Sequence, residues 1–243
     1  DTVITVQISS LASLTYYHYS VRAVNELGTV FTADREFRTV MTGITGTASD
    51  YENNQYGTIG IGYQEWMTTN LRSVKFNDGT NIPRAVSDSL WNALAGAAYC
   101  WFGNDSVNNV NAFGALYNWQ AVHTGLLCPA GWKVPSAADV AELVTYAGGA
   151  GVAGRMLKDP GVAYWRSPNV DSTDVYGFSA RGGGKRSDAG IFDFKTIEGN
   201  WWTSDEYSTL NSSFFNILFN YSNLFQAYYN KKTGMSVRCV RSH

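Results

Sequence analysis

The stretch from Gly199 to Arg241 decides the fold, and it reads GNWWTSDEYSTLNSSFFNILFNYSNLFQAYYNKKTGMSVRCVR. Between Tyr207 and Asn230 it has no charged residue, and these 24 positions include five Asn, four Tyr, four Phe and four Ser. Antibody paratopes use such a mixture, because Tyr supplies rigid contact area while Ser and Asn supply adaptable hydrogen bonds. The stretch closes with an alternating strand, Ser236 to Arg241. It therefore predicts an exposed binding segment held at both ends; a sandwich of ordinary core strands is the alternative.

The composition indicates a folded, aromatic-rich protein and limits its partners. The chain has 243 residues, 44% of them hydrophobic and 14% aromatic, which is enough for one large or two small domains. A net charge of −2 offers no electrostatic footprint for nucleic acid. No apolar run reaches the roughly 18 residues that a membrane-spanning helix needs. We therefore expect neither a nucleic-acid partner nor a membrane span in this chain.

Residues 1–40 predict three β-strands. The second strand runs from Leu14 to Asn25 and, after a turn at Gly28, the third runs from Val30 to Thr39. The pattern L-x-x-L-T-x-Y-x-Y-x-V-x-A-x-N-x-x-G resembles the end of a fibronectin type III domain, with Tyr17 at its tyrosine corner. This resemblance implies a partial all-β sandwich, because the family has seven strands. The first strand is expected from four apolar residues, Val3, Ile4, Val6 and Ile8.

A second domain is expected from residue 58 to 243, after a Gly/Thr/Asn-rich linker at 41–57. Its clearest helix follows Ser136, which stands with Asp139 at the spacing of a capping box. Gly148-Gly149 end that helix. A shorter helix is expected from Asp88 to Ala95 and another from Phe113 to Val122, with a polar loop from Gly103 to Asn109 between them.

Six ordered motifs between residues 58 and 241 resemble one family, the Fibrobacter succinogenes major paralogous domain. They are QEWMTTNL (64–71), GALYNW (114–119), CPAGWKVPS (128–136), YGFSA (176–180), WWTS (201–204) and GMSVRCVR (234–241). The resemblance implies an α+β, C-type-lectin-like fold with short helices and antiparallel strands, distantly akin to the formylglycine-generating enzymes. It also implies an extracytoplasmic protein, at the cell surface or secreted, because the family is abundant in surface proteins and lipoproteins of Bacteroidetes. The full-length form is then expected to be an outer-membrane lipoprotein.

The resemblance carries no established activity. The family is also similar to the variable proteins of diversity-generating retroelements, which bind ligands through Asn/Tyr/Ser-rich strands before the terminal motif. Calcium-dependent lectins use E-P-N or Q-P-D together with W-N-D, and this chain has none of these motifs. No cofactor is therefore expected. Calcium stays open only at the Asn104-Asp105 loop, where a solvated loop is the alternative.

Of the three cysteines, we expect Cys128 and Cys239 to form a disulfide, which would place the protein in an oxidising compartment. Two buried thiols are the alternative. Cys100 is then left over. It is a candidate nucleophile only with His123 as its base, and a buried structural cysteine is the alternative.

The binding surface is predicted to consist of the 207–212 loop, the 220–223 turn and the 225–229 strand. Phe215, Ile217 and Phe219 share one side of a strand and are expected in the core. The candidate ligand-binding residues are Tyr207, Asn211, Asn220, Tyr221, Asn223, Phe225, Tyr228 and Tyr229.

These residues favour a non-enzymatic module that binds a glycan or a protein. A structural surface or fimbrial subunit is one alternative. The other is an enzyme, either glycan-active or related to the formylglycine-generating oxidases. Asp205-Glu206 is its candidate carboxylate pair, but adjacent strand residues are expected to point to opposite faces.

Overall fold

The computed structural model describes residues 5–242 of the chain. Strand residues outnumber helical residues, at 32% against 16%, and the helices are short. This confirms the expected mixture of strands with a few short helices. The hydrogen-bonded ladders between the strands are antiparallel.

The N-terminal part is one long hairpin with an interruption. Strand β1 (Tyr16–Tyr19) pairs with β4 (Arg35–Arg38), and β2 (Arg22–Asn25) pairs with β3 (Gly28–Phe31). The expected continuous strand is broken because the Thr32 hydroxyl, not a backbone carbonyl, accepts the Val21 N–H at 2.9 Å. The Tyr17 hydroxyl accepts the Ala12 N–H at 2.8 Å, so this side chain ties the hairpin to the preceding segment.

The expected first strand is wrong where the structure describes it. Val3 and Ile4 lie outside the described residues, while Val6 and Ile8 are exposed and belong to no strand. A strand needs a partner, and between residues 5 and 40 the ladders are used within the hairpin. Val6 and Ile8 instead line an open apolar cavity of about 450 Å³, together with Tyr19, Val21 and Phe37.

Within the segment expected as a linker, 41–57, residues 45–49 and 55–57 belong to strands of a four-stranded sheet. In that sheet β5 (Thr45–Ser49) is the edge strand beside β6 (Gln55–Ile61), followed by β7 (Gln64–Met67) and β15 (Val240–Ser242). The Gly/Thr-rich composition suits a closely approached strand, because a Cβ at Gly46 would lie 2.9 Å from the Thr58 hydroxyl. The chain end thus pairs with β7, so the sheet joins the beginning and the end of this domain.

The helices are α1 (Asp88–Asn92), α2 (Ser106–Phe113), α3 (Trp119–His123), α4 (Ala137–Tyr146) and α5 (Ala150–Leu157). Ser136 and Asp139 form the predicted capping box at the start of α4. The expected helix 113–122 is broken by the short ladder of β8 (Tyr99–Cys100) with β9 (Leu116–Tyr117). Gly114 has φ 73° there, and a Cβ on it would lie 2.6 Å from the Leu71 carbonyl. The polar loop 103–109 contains the start of α2, which Asp105 caps.

The predicted binding segment forms a three-stranded sheet of β12 (Glu198–Glu206), β13 (Asn211–Leu218) and β14 (Leu224–Asn230). A small ladder, β10 (Lys185–Arg186) with β11 (Phe192–Asp193), lies nearby in sequence. On one side of the larger sheet Trp202 and Phe214 enter one hydrophobic core, and on the other Trp201 and Phe215 enter a second. Strand β14 is the edge strand, and residues 225–229 are exposed on both of its sides.

A buried arginine connects these layers. Arg238 is 1% exposed, and burial lowers the pKa of its guanidinium. The guanidinium donates to the carbonyls of Met67, Phe178 and Ser179 and, at 2.7 and 3.1 Å, to the Asn70 side-chain oxygen. Asn70 also accepts the Trp201 indole N–H at 2.8 Å and donates to the Phe113 carbonyl. One polar cluster therefore fixes both sheets and the end of α2.

The predicted disulfide between Cys128 and Cys239 is confirmed. Their Cα atoms are 6.0 Å apart, in the usual range for a disulfide, and 111 positions separate them in sequence. Cys100 is free and buried. The covalent bond attaches the last part of the domain to the segment that precedes α4.

Lys158, the residue that follows α5, supports the turn between β13 and β14. The Lys158 ammonium donates to the carbonyls of Leu218, Phe219 and Tyr221 at 3.1, 3.4 and 3.0 Å. Gly154 allows the close approach, since a Cβ there would lie 2.1 Å from the Asn223 carbonyl. Three carbonyls share one buried donor, so the path of this turn depends on it.

Removing the disulfide should lower the free energy of unfolding by about 4.7 kcal/mol, the chain-entropy value for a loop of this length. Urea titration of Cys128→Ala/Cys239→Ala against the oxidised protein measures the difference. Iodoacetamide under denaturing conditions without reductant should label Cys100 alone; labelling of all three cysteines would contradict the bond.

Arg238→Met should lower the free energy of unfolding by at least about 3 kcal/mol, because buried carbonyls lose their donor. Arg84→Met is the matched control. Arg84 is exposed and donates once, to the Asn104 carbonyl, so its loss should cost within about 0.5 kcal/mol. Equal costs for the two variants in urea titrations would remove the proposed central role of Arg238.

Lys158→Met should lower the free energy of unfolding by about 1–3 kcal/mol and speed amide exchange in residues 218–223 but not in α4. Burial lowers the pKa of Lys158 from 10.5 to about 8. Between these values the unfolded chain holds more protons, so the wild type gains stability as pH rises. The stability gap between wild type and variant should therefore widen from about pH 7.5 to about pH 9.5. A gap independent of pH would contradict the lowered pKa.

Candidate functional site

The eight predicted binding residues all reach the surface. Asn211 and Asn223 are half-buried and the others are exposed, namely Tyr207, Asn220, Tyr221, Phe225, Tyr228 and Tyr229. The expected core residues Phe215 and Ile217 are fully buried, and Phe219 is half-buried. The segment thus separates into a buried β13 and an exposed β14.

The structure does not bring the eight residues together on one surface. Because β14 alternates, Phe225 and Tyr229 lie on the side of Phe214, while Tyr228 lies on the other side with Gln226. Tyr229 meets Phe214 edge to face at 5.9 Å and has the Lys185 ammonium 4.8 Å from its ring centre. Tyr221 meets Phe225 edge to face at 5.8 Å beside the turn.

Tyr207 and Tyr228 form the closest aromatic pair of the segment. Their ring centres are 3.6 Å apart and the planes differ by 13°, with 60% and 54% of the two residues exposed. They line an open cavity of about 270 Å³, which we call the tyrosine cavity. Its other lining residues are Ala137, Asp205, Glu206, Ser213, Gln226 and Ala227.

The two carboxylates at this cavity keep the alternation expected of neighbouring strand residues. Asp205 and Glu206 both border the tyrosine cavity, but their side chains bind partners on opposite sides of β12. The register shift between Trp202 and Glu206 sets four positions of β12 against two of β13, so Glu206 pairs with Ser212 and stays on the side of Trp202. Asp205 accepts the Ala137 N–H at the start of α4, at 2.5 Å. Glu206 accepts from the Lys231 ammonium, and this hydrogen bond lowers the pKa of the Glu206 carboxyl.

The cavity therefore offers a stacked aromatic wall beside polar groups of both kinds. The Gln226 amide and the Ser213 hydroxyl can donate and accept, whereas Asp205 and Glu206 accept. An aromatic wall with a few placed polar groups is typical of small-molecule sites. To act in catalysis, each carboxylate would have to give up its present hydrogen bond, Asp205 to the N-terminus of α4 and Glu206 to Lys231.

Sequence reasoning missed Asp205 and Glu206 as neighbours of the tyrosines, and Lys158 as the support of the turn. Asp205 and Glu206 precede Tyr207 directly in sequence, but their proximity to Tyr228 depends on the register of β14 against β13, which has no local sequence signal. Lys158 ends an unexpected helix, α5, and a lysine at a helix end is ordinarily solvated. Only the buried path of α5 beneath the turn makes it a structural donor.

The other candidate chemical groups have structural contacts. Burial raises the pKa of the Cys100 thiol to about 12, so the protonated form prevails at neutral pH. His123 stacks on Trp119, with ring centres 4.8 Å apart. Asp105 caps α2 by accepting the Asn108 N–H at 3.1 Å. Between residues 5 and 242, no three His, Cys, Asp or Glu side chains are grouped as a metal site.

In the described part of the chain, no helix is long and apolar enough to cross a membrane.

The comparisons with known proteins identify the domain that carries this site. No match was found among curated proteins, and none among solved structures. A family model, the Fibrobacter succinogenes major domain, matches residues 59–241. This range contains all eight predicted binding residues, the tyrosine cavity and the disulfide. Since the match spans three quarters of the chain, the protein belongs to the Fibrobacter succinogenes major domain family.

Proposed function

We propose that this protein is a non-catalytic binding module that takes a glycan at the tyrosine cavity. The observation that carries the proposal is the stacked pair of Tyr207 and Tyr228, exposed beside the side chains of Gln226 and Asp205. Sugar rings present apolar C–H faces and hydroxyl edges. The aromatic rings can pack against the C–H faces, and the neighbouring amide and carboxylate groups can form hydrogen bonds with the hydroxyl groups.

The geometry favours affinity because little has to be ordered on binding. Tyr207 and Tyr228 already constrain each other, and tyrosine has few rotatable bonds to immobilise. The ladder with β13 fixes the strand that carries Tyr228, and Lys158 fixes the turn before that strand. The entropic cost of binding therefore falls mainly on the ligand.

The wider setting belongs to the same proposal. We propose that residues 59–241 adopt a C-type-lectin-like fold and that the N-terminal hairpin is part of a fibronectin-type spacer. We further propose an extracytoplasmic location, at the cell surface or secreted, with an outer-membrane lipoprotein as the full-length form. The disulfide is compatible with such a compartment.

A second candidate, a protein partner or a subunit of the same kind, rests on a separate observation. Among the strands that the structure describes, β14 pairs with β13 alone, and its seven residues carry no charge. Uncharged edge strands can accept a further strand from another chain. Concentration-dependent mass and a protein array distinguish this candidate from glycan binding.

Replacing the aromatic wall should abolish most of the glycan affinity. Tyr207→Ala and Tyr228→Ala should each weaken binding at least about tenfold, or about 1.4 kcal/mol, since each removes half of the stacked surface. A glycan array selects the ligand, and titration calorimetry measures the loss.

Tyr51→Ala is the control variant, because Tyr51 is 55% exposed but does not line the tyrosine cavity. It should bind like the wild type, and all three variants should keep similar melting temperatures. Wild-type affinity in both tyrosine variants would exclude this cavity as the site.

A further inference from the structure

A second cavity, lined mainly by residues with polar side chains, borders the 207–210 loop. Its volume is about 390 Å³, and we call it the amide cavity after two of its side chains, Asn92 and Gln120. Asp188, Thr209, Lys231 and Lys232 also line it. The volume lies within the range of about 300–1,000 Å³ that is usual for small-molecule sites. None of the eight residues predicted from the sequence lines it.

Several polar groups of this cavity have capacity for a ligand. Among the described residues, the side-chain amides of Asn92 and Gln120 and the Thr209 hydroxyl have no hydrogen-bond partner. Asp188 accepts from Asn230 through one carboxylate oxygen, at 3.1 Å, which leaves the other oxygen. Donors and acceptors from four separate segments thus converge on one space.

The charges at the amide cavity cancel. Lys231 pairs with Glu206, and the remaining charges, Lys232 and Asp188, are of opposite sign. Lys232 already donates to the Asn92 carbonyl at 2.7 Å. An anionic or a cationic ligand would gain little net attraction here, whereas hydroxyl groups can both donate to and accept from amide and carboxylate groups. This chemistry selects a neutral polyhydroxylated ligand.

The two cavities share one wall. Glu206 lines the tyrosine cavity, and its partner Lys231 lines the amide cavity. The Lys231 ammonium also donates to the Thr209 carbonyl at 3.1 Å, which fixes the loop between the two spaces. A ligand that lies over this ion pair enters both cavities.

We propose that the amide cavity is a second sugar subsite, so that one neutral glycan of two or more units spans both cavities across the Glu206–Lys231 pair. The tyrosine cavity stacks one sugar ring, and the amide cavity binds the hydroxyl groups of a neighbouring unit. This inference rests on the proposed function.

The test compares chain lengths. Glucose, galactose, mannose and N-acetylglucosamine, each as the monosaccharide and as linked oligomers of two to four units, are titrated into the intact protein. For the homopolymer that binds, affinity should rise at least tenfold from one unit to two or three. The double variant Asn92→Ala/Gln120→Ala should lose most of this gain, while binding should still perturb the NMR signals of Tyr207 and Tyr228.

Should the double variant fail to fold, Thr209→Val serves instead. Thr209 is exposed, and valine has the same shape but lacks the hydroxyl group. This substitution should reduce the chain-length gain at least about twofold.

The possible failures are distinguishable. Loss of binding in the tyrosine variants, with no gain from chain length and wild-type affinity in the amide-cavity variants, would overturn the second subsite alone. A preference for uronic or amino sugars over the neutral series would also overturn it. Absence of binding to every neutral oligomer would remove both proposals.

Discussion

The structure depends on one buried charge, the Arg238 guanidinium, to which no carboxylate within residues 5–242 is hydrogen-bonded. Arg238 is satisfied by three backbone carbonyls and by the Asn70 side chain. A buried cation of this kind is costly unless each donor finds an acceptor, so the segments that supply the carbonyls must arrive together. The end of β7, the 178–179 loop and, through Asn70, strand β12 are therefore fixed relative to one another. The adjacent Cys239 forms the disulfide with Cys128, so the segment that precedes α4 is attached to the same cluster.

That rigid centre explains how β14 can remain exposed. An edge strand with five consecutive exposed residues contributes little burial of its own. Two sets of contacts hold β14 in place. It forms a ladder with β13, which is paired with β12 on its other side, and Lys158 binds the turn that precedes β14. The stability needed for the fold comes from the two cores on either side of β12 and β13. The exposed side chains of β14 instead contact neighbours at the surface, Tyr228 with Tyr207 and Tyr229 with Phe214.

Much of this arrangement could be predicted from local signals. The residue pattern predicts the capping box at Ser136 and the difference between a buried β13 and the following strand. The Cys128–Cys239 bond was expected after the family resemblance. The errors arose where distant contacts decide. Gly114 breaks a helical pattern because the Leu71 backbone is adjacent, and β5 forms because β6 offers an edge to a segment of low intrinsic preference. The grouping of Asp205 and Glu206 with Tyr228 at one cavity depends on cross-strand register, which local periodicity does not encode.

The distribution of charge around the site limits the forces that can act there. Residues 207–230 are uncharged, and charges flank them on both sides: Asp205 and Glu206 before, Lys231 and Lys232 after. The hairpin geometry brings these flanks together, so Glu206 pairs with Lys231 across the base of the 207–211 loop. The pair leaves little net field over the exposed tyrosines. The binding that we propose at this surface would therefore rely on stacking and neutral hydrogen bonds, which act at short range and select shape over charge.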